Sequence, residues 1–210
     1  MKNIFDRFYA RYDAWYDRNK RVYLSELMAV RKLLPKKGKG LEIGVGTGRF
    51  AAPLGIKTGI DPSKRMIEIA RLRGINARLG RGESLPFKNS SFDYAVLIIT
   101  LCFVKKPYRV LAEAHRVLKK NGVLLVGIIP KDSFLGKAYQ KKGNIFYKNA
   151  RFFSVFELVH KLAILKFVDF EFCETLFQLP DGIACIESPK KGFGKGGFVV
   201  VTCRKKRQGK

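Results

Sequence analysis

A carboxylate and three alternate glycines stand together in the stretch LEIGVGTGRF, residues 41–50. Glu42 ends a short apolar run, and it is followed by Gly44, Gly46 and Gly48. Glycine has no side chain to keep a ligand away from the backbone, and a glycine-rich turn after the first strand of an α/β protein commonly binds a ligand. A negative charge in front of such a turn favours a positively charged group. The pattern therefore predicts a binding site for a partly cationic molecule.

A second carboxylate narrows the ligand to a nucleoside. Asp61 follows another apolar run, 19 residues after Glu42, where a carboxylate can accept hydrogen bonds from both hydroxyls of a ribose. S-adenosylmethionine combines the required groups, because it carries ribose hydroxyls, an ammonium group suited to Glu42 and a sulfonium that needs close approach to the backbone. We therefore expect this cofactor, with S-adenosylhomocysteine as its product.

Two commoner nucleotide sites fit the stretch less well. The dinucleotide fingerprint G-x-G-x-x-G requires glycine at position 49, where this chain has Arg49, and Glu42 would repel a pyrophosphate. A phosphate-binding loop is also disfavoured, because the sequence holds no G-K-[ST]. An oxidoreductase that binds a dinucleotide therefore stays a distant alternative.

The elements that must position these residues alternate between strands and helices. Strands are expected at 41–43, up to residue 61, at 77–79, in FDYAVLII and in GVLLVGII. Helices are expected from Thr47, over 63–73, over 107–118 and after Ser154. Two late strands, FVDFEFCETLF and FVVVTCRKK, have no helix between them and are expected to pair antiparallel. The pattern indicates an α/β fold with a parallel sheet covered on both faces.

The first 35 residues follow a different pattern. Aromatic residues at three- and four-residue spacing predict one amphipathic helix over residues 3–18: Phe5, Phe8, Tyr9, Tyr12, Trp15 and Tyr16. A second helix passes through Tyr23 and ends at Pro35. We therefore predict a helical flap over residues 1–35 and a main domain over residues 36–210.

Four stretches resemble, in order, motifs of the class I S-adenosylmethionine-dependent methyltransferases, and in particular the small type 11 group. They are LEIGVGTGRF, GIDPSKRMIEIAR, GESLPFKNSSFDYAVL and AHRVLKKNGVLLVGI. The resemblance implies a Rossmann-like, doubly wound seven-stranded sheet in the order 3-2-1-4-5-7-6, with strand 7 antiparallel. It also implies cofactor contacts at Glu42, Gly44, Gly46, Gly48, Asp61, Pro62, Met66 and Leu97.

The chain departs from this family pattern near the adenine site. An acidic residue that commonly holds the adenine amino group is replaced by Arg81. We therefore expect the backbone at Gly82 and Glu83 to bind adenine, with Met66 packed on the ring.

The sequence offers few candidates for a catalytic base. Cys102 and Phe103 stand where many relatives carry two histidines, and both His115 and His160 lie inside predicted helices. Methyl transfer from a sulfonium has a neutral leaving group, so a neutral amine, a thiolate or an acidic hydroxyl needs only to be held in line. No catalytic residue is assigned.

Aromatic residues between the fifth strand and the late helix predict a pocket for the methyl acceptor. They are Phe134, Tyr139, Phe146, Tyr147, Phe152 and Phe153. Together with the flap they give five candidate acceptor contacts, Tyr12, Tyr16, Cys102, Phe103 and Phe134. The aromatics also alternate with lysines, an arrangement that would suit base stacking beside phosphate contacts: Lys137, Lys141, Lys142 and Lys148.

The charge of the chain leaves more than one function open. Its 42 Lys and Arg against 17 Asp and Glu give a formal net charge of +25, a field that attracts polyanions and repels small cations. We expect a methyltransferase acting on a small neutral or anionic molecule, and we rank a cationic amine lower. An RNA methyltransferase and a non-catalytic basic module that retains the cofactor site are the alternatives.

Other classes of protein fit the composition less well. The four cysteines are far apart in the sequence with no C-x-x-C pair, so neither a metal site nor a disulfide framework is expected. No run approaches the roughly 20 apolar residues of a membrane span. The charged N-terminal segment is unlike a secretory signal, and a cytosolic location is expected.

Overall fold

The computed structural model describes residues 4–141 and 145–206 as a central sheet with helices on both faces. The strands are β1 (Gly40–Ile43), β2 (Thr58–Asp61), β3 (Asn76–Leu79), β4 (Phe92–Ile98), β5 (Leu118–Ile128), β6 (Phe167–Thr175), β7 (Lys190–Lys191) and β8 (Phe198–Lys205). The helices are α1 (Ile4–Arg7), α2 (Tyr9–Arg18), α3 (Lys20–Leu33), α4 (Lys64–Leu72), α5 (Pro107–Val117), α6 (Phe134–Lys141) and α7 (Val155–Ile164). Single turns of 3-10 helix occupy Leu101–Phe103 and Pro180–Gly182.

The strand order confirms the predicted topology. The order is β3-β2-β1-β4-β5-β8-β6-β7, in which β1 to β5 are parallel and β8 runs antiparallel between β5 and β6. The two-residue strand β7, which pairs with the end of β6, adds an eighth member to the predicted seven. The strand order reverses between β1 and β4, and ligands of such sheets bind beyond the carboxyl ends of the strands at this point.

Two apolar layers cover the sheet, and β4 shows how the sequence divides between them. Val96 and Ile98 pack toward the flap side with α3, whereas Ala95 and Leu97 pack toward α5 and α7 on the opposite side. Successive side chains of a strand point to opposite faces, so a strand that is buried on both faces has a continuous apolar run. The helix expected after Ser154 is α7, which begins with a capping box formed by Ser154 and Glu157.

The prediction of a helix from Thr47 is wrong, because residues 45–55 form irregular turns. Pro53 has no amide hydrogen to donate to the carbonyl of Arg49, so a regular helix cannot continue there. The hydroxyl of Tyr23 donates a hydrogen bond to that carbonyl instead. The flap is therefore anchored, through Tyr23, at the point where the predicted helix cannot continue.

The single helix predicted over residues 3–18 is also wrong in detail. The chain bends at Phe8, which separates α1 from α2, and the predicted second helix is α3, which ends before Pro35. Residue 3 lies outside the described residues. The bend lets α1 pack on α4 while α2 packs on α3.

Candidate functional site

The glycine turn after β1 has the backbone shape that glycine permits. Gly44, Gly46 and Gly48 have φ values of +77°, +51° and +83°. This left-handed region is costly for residues with a side chain. A Cβ atom built on Gly44 would lie 2.3 Å from Cγ2 of Thr100. The turn therefore brings the ends of β1 and β4 into close contact, with no room for a side chain.

Asp61 closes the other side of this turn. Its carboxylate accepts hydrogen bonds from the amide of Gly46 at 3.0 Å and from the amide of Ser63 at 2.9 Å. The residue is only 9% exposed, and this burial raises the pKa of Asp61 to about 6. A carboxylate has about four lone-pair positions, so both oxygens retain capacity for further donors.

Glu42 is a buried acid with an unused oxygen. It is 2% exposed, and its Oε2 atom has no hydrogen-bond partner among the residues that the structure describes. Burial raises the pKa of Glu42 well above its usual range, despite a hydrogen bond from the backbone of Ala51. An unsatisfied buried carboxylate is costly unless a donor or a positive charge reaches it. The position therefore fits the ammonium group expected from the sequence.

A cavity of about 130 Å³, here called the cofactor cavity, opens at this turn. Five residues that were predicted to contact the cofactor line it: Gly44, Gly46, Asp61, Pro62 and Met66. The wall on the side of β4 is formed by Ile98, Ile99 and Thr100.

The other predicted cofactor residues do not line this cavity, and Glu42, two residues before Gly44, is among them. Leu97 packs in the apolar layer beneath α5. Successive residues of a strand face opposite sides of the sheet, so the next residue, Ile98, lines the cavity instead. Gly48 shapes the turn against Ile75, and Gly82 packs on the side chains of Ile43 and Val110. Glu83 is half-buried beside Gly82, outside the cavity lining.

Arg49, which replaces the glycine of the dinucleotide fingerprint, fastens the flap to the glycine turn. Its guanidinium donates to Asp13 at 2.8 Å and to Asp17 at 2.6 Å, both on α2. Asp13 also accepts from Oγ1 of Thr47 at 2.6 Å and from Arg73 at 2.9 Å. Although burial alone would raise the pKa of Asp13, these hydrogen bonds hold it well below its usual range. The sequence analysis did not predict this cluster. The pattern that could have indicated it is the spacing of Asp13 and Asp17, which are four residues apart and therefore lie on one face of a helix.

A second cavity, here called the acceptor cavity, adjoins the first and has a volume of about 160 Å³. The two cavities share three lining residues, Tyr12, Ile99 and Phe103. Of the predicted acceptor contacts, Tyr12, Tyr16 and Phe103 line the acceptor cavity. The hydroxyl oxygens of Tyr12 and Tyr16 lie 2.7 Å apart.

Aromatic rings from the flap and from residues 103–147 line the acceptor cavity, and Phe5 of the neighbouring cofactor cavity packs on two rings of the second group. The rings of Phe5 and Phe103 meet edge to face with centroids 4.9 Å apart, and Phe5 stacks on Phe146 at 5.5 Å. Tyr147 in turn stacks on Tyr139 at 4.8 Å. Aromatic pairs at these distances stabilise their mutual packing. The flap and the segment after β5 therefore enclose the cavity together.

Two predicted acceptor contacts lie elsewhere. Cys102 packs against Phe152 and Phe153, and its thiol points at the carbonyl of Ile99, 3.6 Å away. Burial raises the pKa of Cys102 to about 12, so the side chain is a neutral thiol rather than a nucleophilic thiolate. Phe134 packs against the apolar core at the start of α6 and does not line the acceptor cavity.

One acidic residue in the acceptor cavity was not found by sequence reasoning. Glu26 of α3 lines the cavity and is 2% exposed. Burial raises the pKa of Glu26 to about 8. The available signal was its position on the apolar face of α3, four residues after Val22 and four before Val30, both of which are buried.

Ile99, which lines both cavities, has an unusual backbone. Its φ is +48°, a value that is rare for a β-branched residue. Its amide donates to the carbonyl of Gly127 at 2.9 Å, which holds this conformation. Strained residues of this kind concentrate at functional sites.

The remaining candidates that the structure describes line neither cavity. His115 packs edge to face on Phe167, and His160 is exposed on α7. Lys137, Lys141 and Lys148 are exposed, and Lys142 lies outside the described residues.

Two further structural findings concern residues 4–141 and 145–206. No three His, Cys, Asp or Glu side chains in these ranges cluster so as to hold a metal ion. Among the helices of this part of the chain, none combines the length and apolar character needed to cross a bilayer.

Comparison with known proteins finds similarity along most of the chain. Residues 41–126 match the family model described as a methyltransferase domain. A solved S-adenosylmethionine-dependent methyltransferase of Thermotoga maritima, described as a possible histamine N-methyltransferase, is 51% identical, with 97% of this chain and 98% of that chain covered and a TM-score of 0.94. An uncharacterized protein of Methanocaldococcus jannaschii is 44% identical over 205 residues, which are 97% of this chain and 99% of that protein.

A more distant relative matches only part of the chain. A demethylmenaquinone methyltransferase of Thermotoga maritima is 36% identical over 112 residues, which cover 48% of this chain and 49% of that enzyme.

Proposed function

This chain belongs to the class I S-adenosylmethionine-dependent methyltransferases of the type 11 group, and from this premise we propose that it methylates a small molecule held in the acceptor cavity. The observation that carries the proposal is the contact between the two cavities, which share Tyr12, Ile99 and Phe103. A methyl donor in one cavity would face an acceptor in the other across this shared wall.

The residues of the cofactor cavity suit S-adenosylmethionine. In the proposal, Glu42 binds the ammonium group with its unused oxygen, and Asp61 accepts hydrogen bonds from the ribose hydroxyls. Gly44 and Gly46 allow close approach to the backbone, and Met66 packs on the adenine ring. When bound, the cofactor supplies an activated methyl group on a sulfonium. The fit rests on the orphaned oxygen of Glu42 and on the two lone-pair positions that Asp61 retains.

The adenine amino group has no acidic partner in this proposal. Gly82 and Glu83, assigned to adenine from the sequence, stay candidates through their backbone atoms alone.

In this mechanism the chain aligns the reactants and excludes water. The rings of the acceptor cavity hold the acceptor in line, and the flap, which we assign to residues 1–35, covers it through the pairs that Arg49 forms with Asp13 and Asp17. Good alignment of two reactants supplies about 7–11 kcal/mol of the barrier reduction. The buried thiol of Cys102 takes no part.

The size of the acceptor cavity supports a small acceptor. A volume of about 160 Å³ is close to that of cavities that hold one benzene ring, roughly 150 Å³. The Thermotoga relative is described as a possible histamine N-methyltransferase, and histamine carries a single ring. A base of a folded RNA would have to leave its stack to enter a cavity enclosed in this way.

The net charge of +25 favours RNA as the second candidate acceptor. If RNA is bound through several phosphates, its affinity falls steeply between about 50 and 200 mM salt. A non-catalytic basic module is the third reading, and it would label no acceptor at all.

One labelling experiment separates the three readings. Methyl-labelled cofactor is incubated with the protein and either the fraction of a cell extract below about 1 kDa or its purified RNA. We expect label in the small-molecule fraction. Label in RNA alone would replace the proposal by the second candidate, and label in neither fraction would support the non-catalytic module.

A further inference from the structure

Glu26 is a buried acid that binding and alignment of the cofactor do not use. Its Oε2 atom has no hydrogen-bond partner among the described residues, and the side chain lines the acceptor cavity. Among the described residues, Glu42 is the other acid with an orphaned buried oxygen, and in the proposed function it binds the ammonium group of the cofactor. Of the two, Glu26 is the one that lines a cavity.

The surroundings of Glu26 favour a cationic partner. Four tyrosines line the same cavity, Tyr12, Tyr16, Tyr139 and Tyr147. Aromatic faces attract ammonium groups, and a desolvated carboxylate attracts them more strongly. A buried carboxylate without a partner is costly, so a ligand that supplies a positive charge relieves that cost when it binds.

Among the described residues, the positive side chains that line this cavity are exposed to solvent. Arg11 and Arg18 line the cavity and are exposed, and the long-range field of the chain is positive as well. Salt screens exposed charges beyond about 8 Å at physiological ionic strength, whereas buried pairs are screened much less. Once a cationic ligand is inside the cavity, its attraction to Glu26 therefore outweighs its repulsion by the exposed positive charges of the surface.

We propose that Glu26 binds the amino group of the methyl acceptor, which makes the acceptor a small amine with about one ring. The inference rests on the proposed function and specifies its acceptor. It reverses the ranking drawn from net charge, which placed cationic amines below neutral and anionic molecules. In this proposal the buried acid in the lining of the cavity sets the class of acceptor, while surface lysines and arginines affect only its approach.

The proposal accounts for the protons of the reaction. An amine carries an extra proton at neutral pH, and that proton must leave before the nitrogen lone pair can attack. Burial raises the pKa of Glu26 to about 8, which makes its carboxylate a stronger base than that of an exposed glutamate. Glu26 accepts this proton, the N–C bond forms as the S–C bond breaks, and the electron pair stays on sulfur. The product leaves as a methylated ammonium, and Glu26 then releases its proton to solvent.

The test measures acceptor binding by calorimetry on protein saturated with S-adenosylhomocysteine. The probes are benzylamine and 2-phenylethylamine, each paired with the alcohol of the same shape. We expect both amines to bind the wild type more tightly than their alcohols. Glu26→Gln should lose about 10- to 100-fold in amine affinity, as expected for a hydrogen bond to a charged group, with alcohol affinity little changed.

Two further variants make the result specific. Glu26→Asp keeps the carboxylate and should retain part of the preference for amines. Glu171→Gln makes the same chemical change at an exposed position of β6 and should bind amines as the wild type does. Melting temperatures establish that each variant is folded.

The outcomes separate this inference from the proposed function. Two results would overturn the inference and leave the proposed function standing. In the first, the wild type binds S-adenosylhomocysteine but binds the amines no more tightly than the alcohols. In the second, Glu26→Gln keeps the preference for amines. If the wild type fails to bind S-adenosylhomocysteine, the proposed function itself fails.

Discussion

Asp61→Asn tests how the cofactor cavity holds a ribose. The two oxygens of Asp61 each accept one amide, from Gly46 and from Ser63, and each keeps capacity for a ribose hydroxyl. Asparagine keeps one acceptor oxygen and removes the charge. Hydrogen bonds to a charged group contribute about 1.5–3 kcal/mol, and about 1.4 kcal/mol corresponds to a factor of ten. We therefore expect the affinity for S-adenosylhomocysteine to fall by roughly 10- to 150-fold.

The same residue predicts a pH dependence of binding. Because burial raises the pKa of Asp61 to about 6, the empty site holds the protonated acid below about pH 6 and the carboxylate above it. The carboxylate is the better acceptor, so affinity should be highest above pH 6 and should fall by up to about tenfold per pH unit below it. Asp61→Asn has no such group and should bind with an affinity that is less dependent on pH.

Calorimetric titration with S-adenosylhomocysteine from pH 5 to pH 8 measures both effects. Melting temperature in the absence of ligand serves as the control for folding. An Asp61→Asn affinity within twofold of the wild type, or an acid-side decline that is the same in both proteins, would refute the assignment of the ribose to Asp61.

Three other substitutions test the site around it. Arg49→Ala removes the pairs with Asp13 and should lower the free energy of unfolding by about 1–3 kcal/mol, since hydrogen bonds between charged groups are lost; urea unfolding measures this, and an unchanged midpoint would contradict the anchoring role. Cys102→Ala should keep turnover within about threefold, because a buried thiol with a pKa of about 12 is not a nucleophile; loss of turnover in a folded variant would contradict this. Gly44→Ala should abolish cofactor binding in calorimetry, because the added Cβ would lie 2.3 Å from Thr100, and retained binding would show that the turn adapts.

Much of the fold follows from the sequence because it depends on local patterns. Alternation of apolar runs with amphipathic helices was enough to predict the parallel sheet, and the lack of a helix between β6 and β8 was enough to predict the antiparallel edge. The irregular turns after the glycine loop were not predicted. They depend on Pro53 and on the hydroxyl of Tyr23, which approaches Arg49 from a distant part of the chain.

The candidate site was predictable where residues follow a strand and less so elsewhere. Asp61 and the glycine turn are placed by the strands that precede them, so their position at the sheet edge follows from strand order. The contact predicted at Leu97 falls one residue before Ile98, the residue that lines the cofactor cavity. In a strand, a shift of one residue moves a side chain to the opposite face of the sheet. Glu26 and Asp13 lie on flap helices whose packing is set by long-range contacts, so the sequence alone did not bring them to the cavities.

The most direct test of the account is a crystal structure of the complex with S-adenosylhomocysteine. We predict that the ammonium group lies within hydrogen-bond distance of Glu42 and that the ribose hydroxyls lie on Asp61. The sulfur should face the acceptor cavity at the wall shared by Tyr12, Ile99 and Phe103. A ligand bound elsewhere, or a sulfur atom closed off from the acceptor cavity, would contradict the account.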